Sequence, residues 1–183
     1  EAPAETFEVL NEVMLDRGTN PFLTKLECYN RGKLLTTVQA DGLMLATPTG
    51  STAYSVSAGG SLVHPTVPAI LFTPVCPHTL SFRPVLLPDS AVLEVRVPRD
   101  ARSTVWVSFD GKRRQELERG DSVVVRMSEN PMPTVNREDG SFDFVHALQR
   151  CLGWNDRDLQ LPFEEDAQAL LEGLKTMAHS DTP

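Results

Sequence analysis

The sequence predicts a mainly β protein of sandwich-like sheets, with one short central helix and one or two C-terminal helices. Three observations carry this. Apolar alternation recurs in short segments between residues 7 and 127, and Gly, Pro, Asn and Asp punctuate them. Helical spacing appears only after Thr52 and beyond residue 140. Strands therefore do not alternate regularly with helices, which argues against a parallel α/β sheet.

Residues 7–16 alternate as a strand through Phe7, Val9, Val13 and Leu15, interrupted by the polar pair Asn11-Glu12. Such a pair is an exposed face, a bulge or a site. Arg17 to Pro21 is a turn, and Leu23–Tyr29 with Leu34–Val38 form a hairpin across Asn30 to Lys33. Asp41-Gly42 reads as a turn when taken by itself. Leu43 to Ala46 is a buried strand, broken by Thr47-Pro48-Thr49-Gly50 before a hydroxyl-rich helix from Tyr54 to Ser61, stopped by Gly59-Gly60. Taken alone, Thr49 to Tyr54 is a capped helix start.

Ala69 to Val75 is a further buried strand, closed by Cys76-Pro77-His78. Ala91–Val97, Val105–Phe109, Arg113–Leu117 and Ser122–Met127 complete the β part, with Asp110-Gly111 as a hairpin turn. Pro131 and Pro133 mark an edge or a linker. Ser141–Leu152 places Phe142, Val145, Leu148, Cys151 and Leu152 on one helical face, with Ser141 as N-cap and Gly153 as stop. Glu164–Met177 is a second helix with an acidic first turn. The divisions expected are an extension over 1–6, an all-β body over 7–140, and a helical segment with tail over 141–183.

The 183 residues suffice for one domain with a real core. Acidic side chains outnumber basic ones 25 to 17, for a net charge of −8, which argues against nonspecific nucleic-acid binding. No apolar run approaches a membrane span, and Glu1 to Glu5 carry neither the basic nor the apolar region of a signal peptide. The location expected is cytoplasmic, with an organelle as the alternative. Cys28, Cys76 and Cys151 have no metal spacing and are expected to be small buried hydrophobes. No P-loop, Gly-x-Gly-x-x-Gly, Gly-x-Ser-x-Gly or His-Glu-x-x-His is present, and the histidines are scattered.

Polar features nevertheless interrupt the buried strands at Asn11-Glu12, Asp41-Gly42 and Thr49 to Ser57. An amide can read a base or ribose edge, a carboxylate can hold a diol, and Tyr54 can stack on a planar ring. Ala53 and Ser57 share a helical face. Together these suit a nucleotide better than a peptide or a metal.

In order along the chain stand Leu10-Asn11-Glu12-Val13, Asp16-Arg17-Gly18, Asp41-Gly42-Leu43, Thr47-Pro48-Thr49-Gly50-Ser51-Thr52-Ala53-Tyr54, His64-Pro65, Cys76-Pro77-His78-Thr79-Leu80-Ser81-Phe82-Arg83-Pro84 and Val107-Ser108-Phe109-Asp110-Gly111. Over about residues 7 to 155 this resembles the C-terminal domain of NAD kinases, closest to the eukaryotic branch. The resemblance implies an all-β domain that binds NAD against an N-terminal α/β domain, in a homo-oligomer. It implies transfer of the γ-phosphate of ATP to the 2′-hydroxyl of the adenosine ribose of NAD, with magnesium or another divalent metal. It implies that Asn11, Glu12 and Asp41 contact the dinucleotide, Asp41 from a neighbouring subunit or its own. It implies that Thr52, Ala53, Tyr54 and Ser57 line the adenine and nicotinamide ends, and that Cys76 touches the nicotinamide side.

The family's Gly-Gly-Asp-Gly motif, whose aspartate acts as base, is absent from these 183 residues. No catalytic or metal-binding residue is therefore expected here. The reading is a domain of an NAD kinase, inactive alone and completed by a missing α/β domain. Asp110 reads as a hairpin turn rather than a substitute base. The alternative is a noncatalytic NAD(P)-sensing or oligomerisation β-domain.

Overall fold

A computed structural model of the chain describes residues 5–137, 140–157 and 167–172. Nine strands, two α-helices and a further helical run over 167–172 are assigned among them. The strands are β1 (Glu12–Asp16), β2 (Thr24–Asn30), β3 (Lys33–Ala46), β4 (Ala69–Pro77), β5 (Val85–Pro88), β6 (Val92–Arg96), β7 (Val105–Phe109), β8 (Lys112–Leu117) and β9 (Ser122–Arg126). A 3-10 turn over Thr49–Thr52 leads into α1 (Tyr54–Ser57), and α2 spans Gly140–Leu152. The chain divides into two compact units, Glu1–Asn136 and Arg137–Pro183.

All strand pairings are antiparallel, in the order β8-β7-β1-β3-β2-β6-β9, with β4 on β3 and β5 on β4. Two hairpins turn on residue pairs with positive φ: Arg31 (48°) with Gly32 (76°), and Asp110 (48°) with Gly111 (68°). That geometry matches the right-handed twist of the strands they join.

The strand β3 organises the unit. Its residue Ala40 pairs with Thr24 of β2 on one side and Pro77 of β4 on the other. Two residues on, Gly42 pairs with Asp16 of β1 and Val75 of β4. The edge that β2 occupies up to Ala40 is thus taken over by β1 from Gly42, and Asp41 lies at the hand-over. The core-facing parity switches at the same point, from Val38 and Ala40 to Leu43 and Leu45. A strand that passes from one sheet to another in this way forms the corner of a sandwich. Gly42 suits the corner because a Cβ there would lie 2.5 Å from the Leu15 carbonyl oxygen. Asp41-Gly42 is therefore inside a continuous strand and not a turn, because the constraint on the glycine comes from a neighbouring strand.

Leu15, Leu26, Val38, Leu43, Leu45, Phe72, Leu93, Val95, Val97, Val105 and Val107 form the core between the sheet faces. A smaller cluster of Ala46, Val63 and Leu71 covers the opposite face. Leu43 to Ala46 is consequently buried on both faces, which explains its unbroken apolar run.

Residues 7–11 are not strand; β1 starts at Glu12. The predicted bulge at Asn11-Glu12 is instead a corner at the entrance to β1. The helix α2 ends at Gly153, whose φ is +58°. The Gly153 and Trp154 amides close on the carbonyls of Gln149 (3.0 Å) and Leu148 (3.3 Å). It already includes Gly140, so Ser141 lies inside its first turn and not before it. Of the second predicted helix, residues 167–172 are helical; 164–166 and 173–177 lie outside the described residues. Cys28 is buried, and burial pushes its thiol up to about 12. Cys76 and Cys151 are exposed, contrary to expectation. Cys76 sits at an irregularity of β4, where its φ is +46°.

Candidate functional site

The Asn11-Glu12 corner is tied to the main chain from two directions. On one side is the β7–β8 turn. The Asp110 carboxylate accepts the backbone N–H groups of Leu10 (2.8 Å, at Oδ2), Asn11 (2.8 Å) and Glu12 (3.0 Å, both at Oδ1). The Asp110 N–H donates in return to the Glu12 carbonyl at 3.0 Å. Asp110 is thus a hairpin residue, as read from the sequence, and also a clamp.

On the other side is the Thr47-Pro48-Thr49-Gly50 turn. The Thr47 N–H donates to the Asn11 carbonyl at 2.9 Å. The Thr47 hydroxyl donates to the Leu10 carbonyl at 2.5 Å, and the Thr49 hydroxyl does so at 3.0 Å. The Thr47 oxygen also accepts the Gly50 N–H at 3.0 Å, which ties the start of the 3-10 turn to the end of β3. Gly50 packs so tightly here that a Cβ would lie 2.1 Å from the Asn11 carbonyl oxygen.

The next turn divides its residues between two tasks. Ser51 and Ser55 are fully buried. The Ser51 hydroxyl donates to the Val63 carbonyl (3.1 Å) and accepts the Val63 N–H (3.0 Å), which fastens the loop after α1. The Ser55 and Thr73 hydroxyls meet at 3.2 Å, which seats α1 on β4. With these anchored, Thr52, Tyr54 and Ser57 face outward, and Ala53 is half-buried. Tyr54 is 46% exposed, an open ring at the corner.

Glu12 is the unusual group. Only 7% of its surface is exposed, and its Oε2 accepts no hydrogen bond among the described residues. Burial pushes its carboxyl above the usual range, and the Asp110 charge adds to this. The Tyr54 N–H opposes the shift. A buried carboxylate oxygen without a donor is costly and matches a site that a ligand donor completes.

The structure thus brings together Asn11, Glu12, Thr52, Ala53 and Tyr54, with Ser57 on the outer turn of α1. Asp41 and Cys76 form a second group. The pairs Gly42–Val75 and Ala40–Pro77 bracket them at one register position on β3 and β4. Cys76 has φ +46°, which marks an irregularity in β4 at that point. Glu12 pairs with Ala46, so Asp41 lies five residues along β3 from the corner, about 17 Å at the rise of a strand.

Sequence reasoning missed Asp110 as a clamp and Ser51 and Ser55 as anchors. The Asp110 contacts span 98 to 100 residues, beyond any local pattern. The serine spacing of four, on one helical side, was a usable signal.

A magnesium ion prefers octahedral oxygen ligation. The Asp110 carboxylate is occupied by N–H donors, and Glu12 offers one buried oxygen. Among the described residues no group of three or more His, Cys, Asp and Glu could hold a metal ion. The described residues thus offer no ligand set that fits a metal. Nor is any helix among them long and apolar enough to cross a membrane.

Residues 10–137 match the family model of the ATP-NAD kinase C-terminal domain. The chain is 64% identical to the probable chloroplastic NAD kinase 2 of Oryza sativa subsp. japonica, over 85% of this chain and 16% of that protein. It is 56% identical to the ATP-NADH kinase YEF1 of Saccharomyces cerevisiae, over 85% of this chain and 31% of that protein. The crystal structure of yeast NADH kinase complexed with NADH superposes with a TM-score of 0.69 at 39% identity, covering 84% of this chain and 44% of that one. The chain thus spans less than half the length of each of these relatives.

Proposed function

Because the chain belongs to the ATP-NAD kinase C-terminal domain family, we propose that it is the dinucleotide-binding wall of an enzyme that phosphorylates the 2′-hydroxyl of the adenosine ribose of NAD with ATP. The observation that carries this reading is the buried, donor-seeking Glu12, reached by the backbone N–H of Tyr54, whose own ring is open to solvent. A ribose hydroxyl or an exocyclic amine supplies the missing donor, and a planar base stacks on the ring. Asn11 adds a paired donor and acceptor beside them, and Thr52, Ala53 and Ser57 complete the lining.

Phosphoryl transfer depends on positioning and on charge stabilisation more than on covalent chemistry. This chain's share is positioning. Its doubly tied corner holds Asn11 and Glu12 rigidly, which limits the ordering needed on binding. The base, the phosphate-binding glycines and any divalent metal belong to the remainder of the enzyme, an α/β domain bearing Gly-Gly-Asp-Gly. No step is assigned to Asp110, whose carboxylate is taken up by the clamp.

Asp41 and Cys76 stand apart from the corner along β3. They reach the same ligand either at its far end or from a second copy of the chain, and a homo-oligomer supplies the latter. The chloroplastic name of the rice relative supports an organellar location as the alternative to the cytoplasm.

Calorimetric titration of the chain with NAD tests the reading. Tyr54→Ala removes a half-exposed ring and is expected to weaken binding by about 1–3 kcal/mol through lost stacking, with little change in melting temperature. Equal affinities for the two proteins would remove Tyr54 from the site.

A further inference from the structure

The Asp16-Arg17-Gly18 turn has no part in the corner, yet its contacts converge on one candidate ligand contact. Arg17 fills the gap on the edge of β3 between the end of β1 and the start of β2. Its Nε pairs with Asp41 Oδ1 at 2.8 Å, and its backbone N–H donates to the Asp41 carbonyl at 3.1 Å. Its Nη1 donates to the Asn20 carbonyl at 2.7 Å, which fixes the plane of the guanidinium. The turn that presents it is itself fixed. Asp16 Oδ1 accepts the Gly18 N–H (2.7 Å) and Arg114 Nη2 (2.6 Å). The Arg114 guanidinium lies 5.1 Å over the Trp106 ring. Gly18, at φ +59°, sits so close to that ring that a Cβ would be 2.5 Å from Trp106 Cδ1.

An isolated surface ion pair contributes little to stability. One held by a carbonyl at the far side of the guanidinium, and presented by a turn packed on an indole, is better suited to fixing a direction. We propose that Arg17 is a positioning residue for dinucleotide binding. It holds Asp41 through Oδ1 so that Oδ2 is aimed at a polar group of the ligand. The role is geometric, and depends on the guanidinium fork reaching Asp41 and Asn20 at once. Lysine, a point charge on a flexible stem, cannot make both contacts. The inference rests on the reading of Asp41 as a ligand contact.

Titration of the wild-type chain, Asp41→Asn, Arg17→Gln, Arg17→Lys and the double variant Arg17→Gln/Asp41→Asn with NAD separates the two. Asp41→Asn and Arg17→Gln are each expected to weaken binding about tenfold, a coupling of the size seen between contacting charged residues. The double variant is expected to be no weaker than Asp41→Asn alone, and Arg17→Lys to restore at most part of the loss. Melting curves of the five proteins establish that each is folded at the titration temperature. Wild-type affinity in Asp41→Asn would overturn the ligand role of Asp41 and the positioning role with it. Wild-type affinity in Arg17→Gln, full rescue by lysine, or losses that multiply in the double variant would overturn the positioning role alone. Absence of NAD binding by the wild-type chain would take down the proposed function beneath both.

Discussion

Replacing Asp110 by alanine tests whether a hairpin tip shapes the Asn11-Glu12 corner. Three backbone donors lose a carboxylate at 2.8, 2.8 and 3.0 Å. The Leu10 N–H is exposed, so water takes over and its share is small. The Asn11 and Glu12 donors are part-buried. A hydrogen bond to a charged group contributes about 1.5–3 kcal/mol, and partial exposure reduces this to about 1–2 kcal/mol for each. Asp110 also has φ +48°, a conformation that costs alanine about 1 kcal/mol more than Asp or Asn. The sum is about 3–5 kcal/mol for Asp110→Ala. Asp110→Asn keeps one acceptor oxygen and tolerates the backbone, so its loss is about 1–2 kcal/mol. In urea, at a slope of about 2 kcal/mol per molar, the alanine midpoint falls by about 2 M and the asparagine midpoint by less than half of that. NAD affinity falls in the same order. An alanine variant with the wild-type midpoint would refute the clamp.

Glu12→Gln is expected to stabilise the chain at neutral pH while weakening NAD binding. The folded carboxyl has its pKa raised above 4.5 by burial, so the folded state holds the proton more tightly than the unfolded state. Wild-type stability falls as pH rises from the ordinary carboxylate value through the raised one. The gap in melting temperature between variant and wild type should open across that window and close below it; a gap independent of pH would contradict the shift. Gly50→Ala places a Cβ 2.1 Å from a backbone oxygen that cannot move aside, and should destabilise by about 3 kcal/mol or more; an unchanged melting temperature would show that the turn yields. Incubated with ATP, NAD and magnesium, the purified chain should form no NADP, because Gly-Gly-Asp-Gly is absent from it. A cycling assay that reports turnover above the boiled control would overturn that expectation.

The strands after residue 91 are legible in the sequence because alternation and a two-residue turn are local signals. Val105–Phe109, Asp110-Gly111 and the strand that follows illustrate this. What depends on distant partners is not legible. Gly42 reads as a turn residue until the Leu15 carbonyl is placed beside it. Residues 7–11 carry strand-like alternation, but Phe7 stacks on Phe109 at 4.2 Å outside any ladder. Within the site, the hydroxyl-rich run and the Asn-Glu pair are visible as polar breaks in apolar segments. Their union through Asp110 and Thr47 is a tertiary fact. The separation of Asp41 and Cys76 from the corner follows from the length of β3, which the two shorter segments read from the sequence conceal.

A strand that exchanges one neighbour for another midway cannot change length. One residue inserted between Ala40 and Ala46 would turn every later side chain of β3 to the opposite face. Placed ahead of Leu43, it would exchange the two buried faces of the strand, taking Leu43 and Leu45 out of the larger cluster and turning Met44 toward it. No shift of β1 or β2 alone could absorb the insertion, because β4 runs past the hand-over on the other edge. Insertions and deletions accumulated in descent should therefore fall at the Arg31-Gly32 tip or after Arg126. The interval from Asp41 to Thr47 should be inherited without change, a counted spacing that outlasts the identities of the residues within it.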